Sequence, residues 1–225
     1  MKIGILMTGH AIPEFEKDFG DYDRLFARLL AGHGFGFVDF DIEGGVFPPG
    51  PGAADGWLIT GSRHGAYEDH PWIPPLEQLI REIYADGRPL VGVCFGHQII
   101  AQALGGKVEK FAGGWSVGRA AYEIDGTKTT LNAWHQDQVT EVPEGAEVIG
   151  SNDFCANAAL LYGNKVYSVQ PHPEFTAPMV EMLVKLRGKG VVPDALLADA
   201  SAQLDAPVDN DDIAARMAAF FKRGA

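Results

Sequence analysis

Cys94 stands at a position where a thiol could act as a nucleophile. It follows a short apolar segment over 90–93, typical of a buried strand, and precedes a segment of helical character over 99–104. Gly92 and Gly96 flank it, where a Cβ would collide in a sharp strand–turn–helix bend. The pattern is typical of a nucleophile elbow with cysteine in place of serine, and a helix starting there favours a thiolate. The alternative is a small buried hydrophobe at a tight corner, so the interpretation depends on a base elsewhere.

A candidate base follows another apolar segment, 166–169. The sequence there is Gln170-Pro-His-Pro-Glu174, and each proline forces the residue before it into an extended conformation. Residues two apart in an extended chain point the same way, so we expect His172 and Glu174 to share one face. A catalytic base needs an acceptor on its second ring nitrogen, and Glu174 can supply one. The alternative is a rigid exit loop with a solvated histidine and glutamate.

Strands and helices alternate in the part of the chain that would position Cys94. The spacing of apolar residues predicts strands over 2–7, 35–42, 56–60 and 90–93, helices over 21–31 and 74–85, and a loop carrying His10 between the first strand and helix. This alternation predicts an α/β fold with an open, doubly wound, mostly parallel sheet and flanking helices. The loop 61–69 follows the carboxyl end of a strand, where such sheets bind ligands.

The sequence changes character after the segment that follows Cys94. Short β-prone pieces over 120–124 and 129–131, separated by glycines, predict a small antiparallel sheet. Further strands are expected over 148–151, 158–161 and 165–169, the last two joined by a turn at Gly163-Asn164. Helices over 178–186, 193–204 and 211–222 follow. Because no repeat or linker interrupts the chain, we expect one domain over 1–225, with the C-terminal helices of 176–225 packed on it.

Composition argues against several classes of partner. The chain of 225 residues has a formal net charge of −12, which disfavours nucleic acid and anionic membrane surfaces. No apolar run approaches the ~20 residues that cross a bilayer. The two cysteines, Cys94 and Cys155, do not indicate a disulfide framework. We therefore expect the protein to lie in the reducing cytoplasm, and we expect a structural role for Cys155.

Two motifs together resemble a known family. Gly92-Val-Cys-Phe-Gly-His-Gln98 and Pro171-His-Pro-Glu174 are similar to the motifs of the class I, triad-type glutamine amidotransferases, a flavodoxin-like α/β family. Within that family, Ile59-Thr-Gly-Ser62, Gly114-Trp115 and the segment 134–139 resemble the stand-alone GMP-synthase-like amidotransferases and the plant γ-glutamyl peptidases.

The resemblance implies a cysteine-dependent hydrolysis. Cys94 would attack the side-chain carbonyl of glutamine or a related γ-glutamyl compound and form a γ-glutamyl thioester, which water then cleaves. His172 would carry the proton from the thiol to the leaving amine, and Glu174 would orient His172. The residues that the resemblance places around the oxyanion and the substrate are Gly61, Ser62, Phe95, Gln98, His135, Gln136 and Asp137. Gln136 stands where GMP synthases have glycine, which leaves open a substrate other than glutamine.

Two further functions remain open at this point. One is a glutaminase subunit that delivers ammonia to a separate synthetase partner. The other is a non-catalytic, redox-sensing module with Cys94 as the sensor thiol. In each enzymatic version we expect a small-molecule substrate and no cofactor.

Other polar and aromatic residues have weaker claims on function. His64 and His70 flank Glu68-Asp69, but they lack zinc-ligand spacing, so we expect no metal. For His97, next to the bend, a packing or helix-surface role and a chemical role both stay open. Arg63 could meet a substrate carboxylate, although a solvated loop charge is the commoner role. Trp115 and Trp134 could form the pocket wall, although buried aromatic residues more often belong to the core.

Overall fold

A computed structural model of the chain describes residues 1–223. The strands are β1 (Lys2–Met7), β2 (Gly36–Asp41), β3 (Gly56–Ile59), β4 (Leu90–Val93), β5 (Lys107–Lys110), β6 (Ser116–Ile124), β7 (Thr127–His135), β8 (Asp137–Glu141), β9 (Glu147–Ser151), β10 (Ala159–Tyr162) and β11 (Val166–Val169). The helices are α1 (Pro13–Phe19), α2 (Tyr22–Leu29), α3 (Ile73–Asp86), α4 (Phe95–Ala103), α5 (Ala177–Leu183), α6 (Asp194–Ala202) and α7 (Asn210–Arg223). Gly224 and Ala225, the end of the predicted domain, lie outside the described residues.

Within residues 1–223, nine strands form one sheet in the order β2-β1-β3-β4-β11-β10-β9-β6-β7. The pairs from β2 to β11 are parallel and those from β11 to β7 are antiparallel, so that β10 and β6 run opposite to the rest. β5 and β8 form a separate antiparallel pair. The predicted fold class, a mostly parallel sheet with a small antiparallel sheet, is therefore confirmed.

Helices cover both faces of this sheet. Successive side chains of a strand point to opposite faces, and β1 shows the consequence. Ile3 and Ile5 pack in one apolar core with residues of α2 and α7, whereas Leu6 packs in a second core with residues of α3 and α4. The C-terminal helix α7 thus contributes to the core beneath the first strand.

The structure corrects two expectations about the elements. Helix α1 occupies part of the region predicted to be a loop; Phe15 is its one buried residue, so it has no apolar stripe that a pattern search could find. The predicted pieces 120–124 and 129–131 belong to β6 and β7, which pair along their full length and extend the main sheet. Asp125 and Gly126, with φ of 50° and 68°, form the hairpin turn between them. No helix within 1–223 is long and apolar enough to span a bilayer.

Candidate active site

Cys94 lies at the corner between β4 and α4. Its φ of 52° belongs to a region that L-residues rarely adopt, at a cost of about 1–3 kcal/mol. A Cβ added to Gly92 would lie 2.6 Å from the Gly96 carbonyl oxygen, and a Cβ added to Gly96 would lie 2.3 Å from the Ile59 carbonyl oxygen. Both distances are shorter than real Cβ contacts, so the bend requires the two glycines that the sequence places there.

The strand order brings the segment after β11 beside this corner. β4 and β11 are parallel neighbours, with Val93 opposite Val169, and the Cys94 N–H donates to the Val169 carbonyl at 2.9 Å. Asn132 in β7 anchors the segment further along. Its carbonyl accepts from the His172 N–H at 2.8 Å, and its side-chain amide donates to the Phe175 carbonyl at 3.0 Å. Sequence reasoning missed Asn132, because its importance arises from a long-range pairing that no local pattern indicates.

His172 and Glu174 form a buried pair. The imidazole Nδ1 lies 2.8 Å from the Glu174 Oε1, the Glu174 side chain is 0% exposed, and the His172 ring stacks on Phe175 with centroids 3.8 Å apart. Since a carboxylate accepts, Nδ1 carries the hydrogen. Burial lowers the pKa of His172, but the negative charges of the adjacent Cys94 thiolate and Glu174 carboxylate outweigh burial and raise it to about 10. The arrangement favours an imidazolium beside Cys94.

Gly61 covers the Cys94–His172 pair. A Cβ at Gly61 would lie 3.2 Å from His172 Cε1 and 3.9 Å from Cys94 Cβ. The Gly61 carbonyl accepts hydrogen bonds from the buried hydroxyls of Thr8, at 3.2 Å, and Thr60, at 3.1 Å. Because a trans peptide sets its C=O and N–H in opposite directions, the N–H of Ser62 points away from these threonines.

A cavity of about 420 Å³ opens beside Cys94 and His172. Five of the residues that the sequence predicts at the substrate line it, namely Ser62, Gln98, His135, Gln136 and Asp137. Gly61 and Phe95 are not among the lining residues. Phe95 is 1% exposed and its ring packs against Trp72, which leaves its backbone N–H, at the first turn of α4, as the group that could bind a ligand.

Gln98 connects two segments of the cavity wall. Its side-chain nitrogen donates to the Asp137 carbonyl at 2.9 Å and to the Gln170 Oε1 at 3.1 Å. Both amide hydrogens are therefore used within the protein, so a ligand would meet Gln98 through other atoms.

His135 presents a neutral ring to the cavity. Burial lowers the pKa of His135 to about 4. The Asp137 carbonyl, 3.2 Å from Nδ1, raises this pKa, and the nearby His172 lowers it by a smaller amount. With Nδ1 donating to that carbonyl, Nε2 is an acceptor, and it is buried without a partner among residues 1–223. Asp137 is partly buried, which raises its pKa, while the neighbouring Tyr67, a cavity residue that sequence reasoning missed, acts the other way.

The structure also shows the surroundings of the other residues that the sequence analysis considered. His97 is fully buried, with Nδ1 2.9 Å from the Ser168 hydroxyl, and burial lowers its pKa to about 3, which fits the packing role. Burial raises the pKa of the Cys155 thiol to about 12. Trp115 and Trp134 line the cavity, and Arg63 at its edge is paired with Glu43.

The structure also brings together three residues that are near one another in the sequence but lack zinc-ligand spacing. One ligand-type atom from each of His64, Glu68 and His70 lies within 4.8 Å of the others, at the edge of the same cavity.

Cys94 lies at a strand–helix corner of an α/β sheet, beside a buried histidine–glutamate pair. This is the geometry of a nucleophile elbow. Residues 38–181 match the family described as Glutamine amidotransferase class-I. The chain belongs to the class-I glutamine amidotransferase family, as its motifs led us to expect.

Comparisons with individual proteins agree with this assignment. The chain is 30% identical to γ-glutamyl peptidase 4 of Arabidopsis thaliana over 184 residues, 73% of each chain. It is 33% identical to a glutamine-hydrolyzing GMP synthase of Clostridium novyi over 168 residues, 70% of this chain and 32% of that one. The crystal structure of a glutamine amido transferase from Methylobacillus flagellatus superposes with a TM-score of 0.78 at 22% identity, covering 99% of this chain and 94% of that chain. The two sequence relatives support an enzyme of this kind, and the superposition shows the shared fold.

Proposed function

We propose that the protein hydrolyses the γ-glutamyl amide bond of a small γ-glutamyl compound through a thioester on Cys94. The observation that carries the proposal is the position of Cys94, at a strained corner within reach of His172, whose Nδ1 is held by the buried Glu174 carboxylate. These are the three parts that nucleophilic catalysis needs: a nucleophile, a base and a group that orients the base.

The reaction would begin with attack of the Cys94 thiolate on the γ-carbonyl carbon. A C–S bond forms while the carbonyl electron pair moves to oxygen, where the N–H groups of Ser62 and Phe95 stabilise the charge. The His172 imidazolium gives its proton to the amide nitrogen, the C–N bond breaks, and the amine leaves. A water then loses a proton to His172 and attacks the thioester, the C–S bond breaks with its electron pair on sulfur, and glutamate leaves while the Cys94 thiolate and the His172 imidazolium are restored.

The shape of the cavity supports a leaving group larger than ammonia. Its volume of about 420 Å³ lies within the ~300–1,000 Å³ range of small-molecule sites. Besides the polar residues near Cys94, apolar side chains line it, among them Ile12, Phe15, Met182 and Leu183. A γ-glutamyl compound whose amine carries an apolar substituent would bury that substituent here, whereas glutamine would leave this surface uncovered. The γ-glutamyl peptidase among the relatives fits this choice.

A second candidate is a glutaminase subunit that delivers ammonia to a separate synthetase. The GMP synthase among the relatives favours it, because that enzyme is a glutamine-hydrolyzing one. The two candidates share the chemistry at Cys94 and differ in the leaving group.

A purely redox-sensing thiol is the third candidate. It would make no use of the buried Glu174 beside His172. Both cysteines are free among residues 1–223, which fits the reducing cytoplasm that we propose as the location.

The test is a substrate panel with the purified protein. Glutamine and γ-glutamyl amides with small, aliphatic, aromatic and amino-acid leaving groups are compared by glutamate release, with Cys94→Ala as control. We expect steady turnover with a higher kcat/KM for the apolar leaving groups than for glutamine, and none with the variant. A preference for glutamine that appears only with an added synthetase supports the second candidate. Oxidation of Cys94 without turnover of any compound supports the third.

A further inference from the structure

The loop between β3 and α3 carries a cluster of two histidines and one glutamate. The Glu68 carboxylate oxygen Oε2 lies 2.8 Å from His70 Nε2 and 3.5 Å from His64 Nδ1, and all three ligand-type atoms lie within 4.8 Å of one another. Two imidazole nitrogens and a carboxylate oxygen are the ligands of many three-residue zinc sites.

The distances fit a metal ion with little movement. Bonds of about 2.0–2.1 Å at tetrahedral angles place neighbouring ligand atoms about 3.3 Å apart. The two measured edges of the cluster, 2.8 and 3.5 Å, lie on either side of this value. Small rotations of exposed side chains would close the third edge, because Glu68 and His70 are 44% and 30% exposed.

A second carboxylate orients His64 as metal-bound histidines are oriented. Glu43 Oε1 lies 2.9 Å from His64 Nε2, opposite the ring atom that faces Glu68. In the tautomer whose Nε2 hydrogen Glu43 accepts, the Nδ1 of His64 has a lone pair on the side of Glu68 that can bind a metal ion. This carboxylate–histidine arrangement is the usual support of a metal ligand.

The other histidine is held by an aromatic neighbour. The His70 ring stacks on Trp72, with centroids 5.7 Å apart and an angle of 11° between the planes, and Trp72 is 6% exposed. These neighbours favour the orientation in which one nitrogen of each imidazole faces Glu68, while small rotations of the rings remain open.

We propose that His64, Glu68 and His70 bind one divalent transition-metal ion of the zinc class, with a fourth position open to water or an anionic ligand. Imidazole nitrogens favour zinc over magnesium or calcium, which prefer oxygen ligands alone. The ion would lie at the rim of the cavity, because His64 and Glu68 line the cavity together with Cys94. The site is independent of the hydrolysis proposed above.

The test measures metal binding directly, without an activity assay. The Cys94→Ala variant is used as the parent, because a thiol beside an imidazole could itself bind zinc. We expect calorimetry to show one equivalent of Zn²⁺ bound, and Co²⁺ to give the visible absorption of a tetrahedral site. His70→Asn, added to the parent, should lose this binding. Glu43→Gln should weaken it about 10- to 100-fold, as loss of an orienting carboxylate does.

The matched control is His33→Asn, which removes a half-buried histidine that stacks on Phe35 at a site away from the cluster. Its Zn²⁺ affinity should equal that of the parent. Circular dichroism confirms that each variant is folded. The proposal is overturned if the parent binds no Zn²⁺, or if it binds Zn²⁺ with an affinity that His64→Asn and His70→Asn both leave unchanged.

Discussion

Replacing Glu174 by glutamine tests how the buried pair works. The substitution keeps the size of the side chain and removes its charge, next to an imidazole that is 3% exposed. The new amide group can donate to Nδ1, which then becomes the acceptor and leaves the hydrogen on Nε2. In that tautomer His172 cannot accept a proton from Cys94. The substitution also removes a charge that raises the pKa of His172.

The expected loss is large because both effects fall on the reaction itself. An inverted tautomer at a catalytic histidine costs about 10⁴-fold in kcat, and a loss of that size corresponds to ~5.5 kcal/mol in the activation free energy. The 2.8 Å contact between Nδ1 and Oε1 excludes water from between the two groups, so no solvent molecule can replace the carboxylate. KM should change little, because Glu174 is not among the residues that line the cavity.

Two measurements on Glu174→Gln separate a catalytic effect from a structural one. The first is kcat for the best γ-glutamyl amide. The second is the pKa of His172 from its imidazole nitrogen resonances, which should fall below the wild-type value. Glu181→Gln is the matched control, since it removes the carboxylate of an exposed ion pair with Lys185, 2.6 Å long, and should leave kcat and the His172 pKa unchanged. A folded Glu174→Gln variant with wild-type kcat would refute the reasoning.

Three further changes probe the surroundings of the pair. Gly61→Ala places a Cβ 3.2 Å from His172 Cε1, so we expect kcat to fall at least about 10-fold. Thr8→Val removes one of the hydroxyls that donate to the Gly61 carbonyl. We expect kcat to fall about 10- to 100-fold, because the N–H of Ser62 in the same peptide is then less well oriented. His97→Gln tests pH dependence: the folded pKa of about 3 lies below the unfolded value, so His97 destabilises the fold increasingly as pH falls below 6.5. Between pH 7 and 5 the variant should lose ~2 kcal/mol less unfolding free energy than the wild type.

Each change has a control of the same chemical type. Gly36→Ala adds a Cβ that meets nothing within 4 Å among residues 1–223 and should leave kcat unchanged. Thr140→Val removes an exposed hydroxyl that donates to Glu109 at 2.8 Å and should also be neutral for kcat. His33→Gln should leave the pH dependence of urea unfolding as in the wild type. A test change that behaves like its control contradicts the role given to that residue.

The corner at Cys94 could be predicted because its constraints are local. Gly92 and Gly96 lie within one bend, and the steric demand of that bend selects residues without a Cβ. The extended segment with His172 and Glu174 is equally local, since the prolines beside His172 fix its backbone. The structure places both features where the sequence pattern indicated.

Features that depend on strand register could not be predicted in the same way. Asn132 and Thr8 reach the site through partners 43 and 53 residues away in the chain. Nothing in the neighbouring residues distinguishes them from other polar residues on buried strands. The cluster of His64, Glu68 and His70 lies in a loop, where no periodicity relates one residue to the next, so its spacing carried no signal.

The most direct test of the central claim is to look for the acyl group on Cys94. The enzyme is quenched with acid during turnover of a γ-glutamyl amide, and its intact mass and peptides are measured. We predict a mass increase of one γ-glutamyl group on the Cys94 peptide, removed by neutral hydroxylamine as a thioester is, with Cys155 unmodified and no adduct in Cys94→Ala. Turnover that persists in Cys94→Ala, or an acyl group on another residue, would contradict the account.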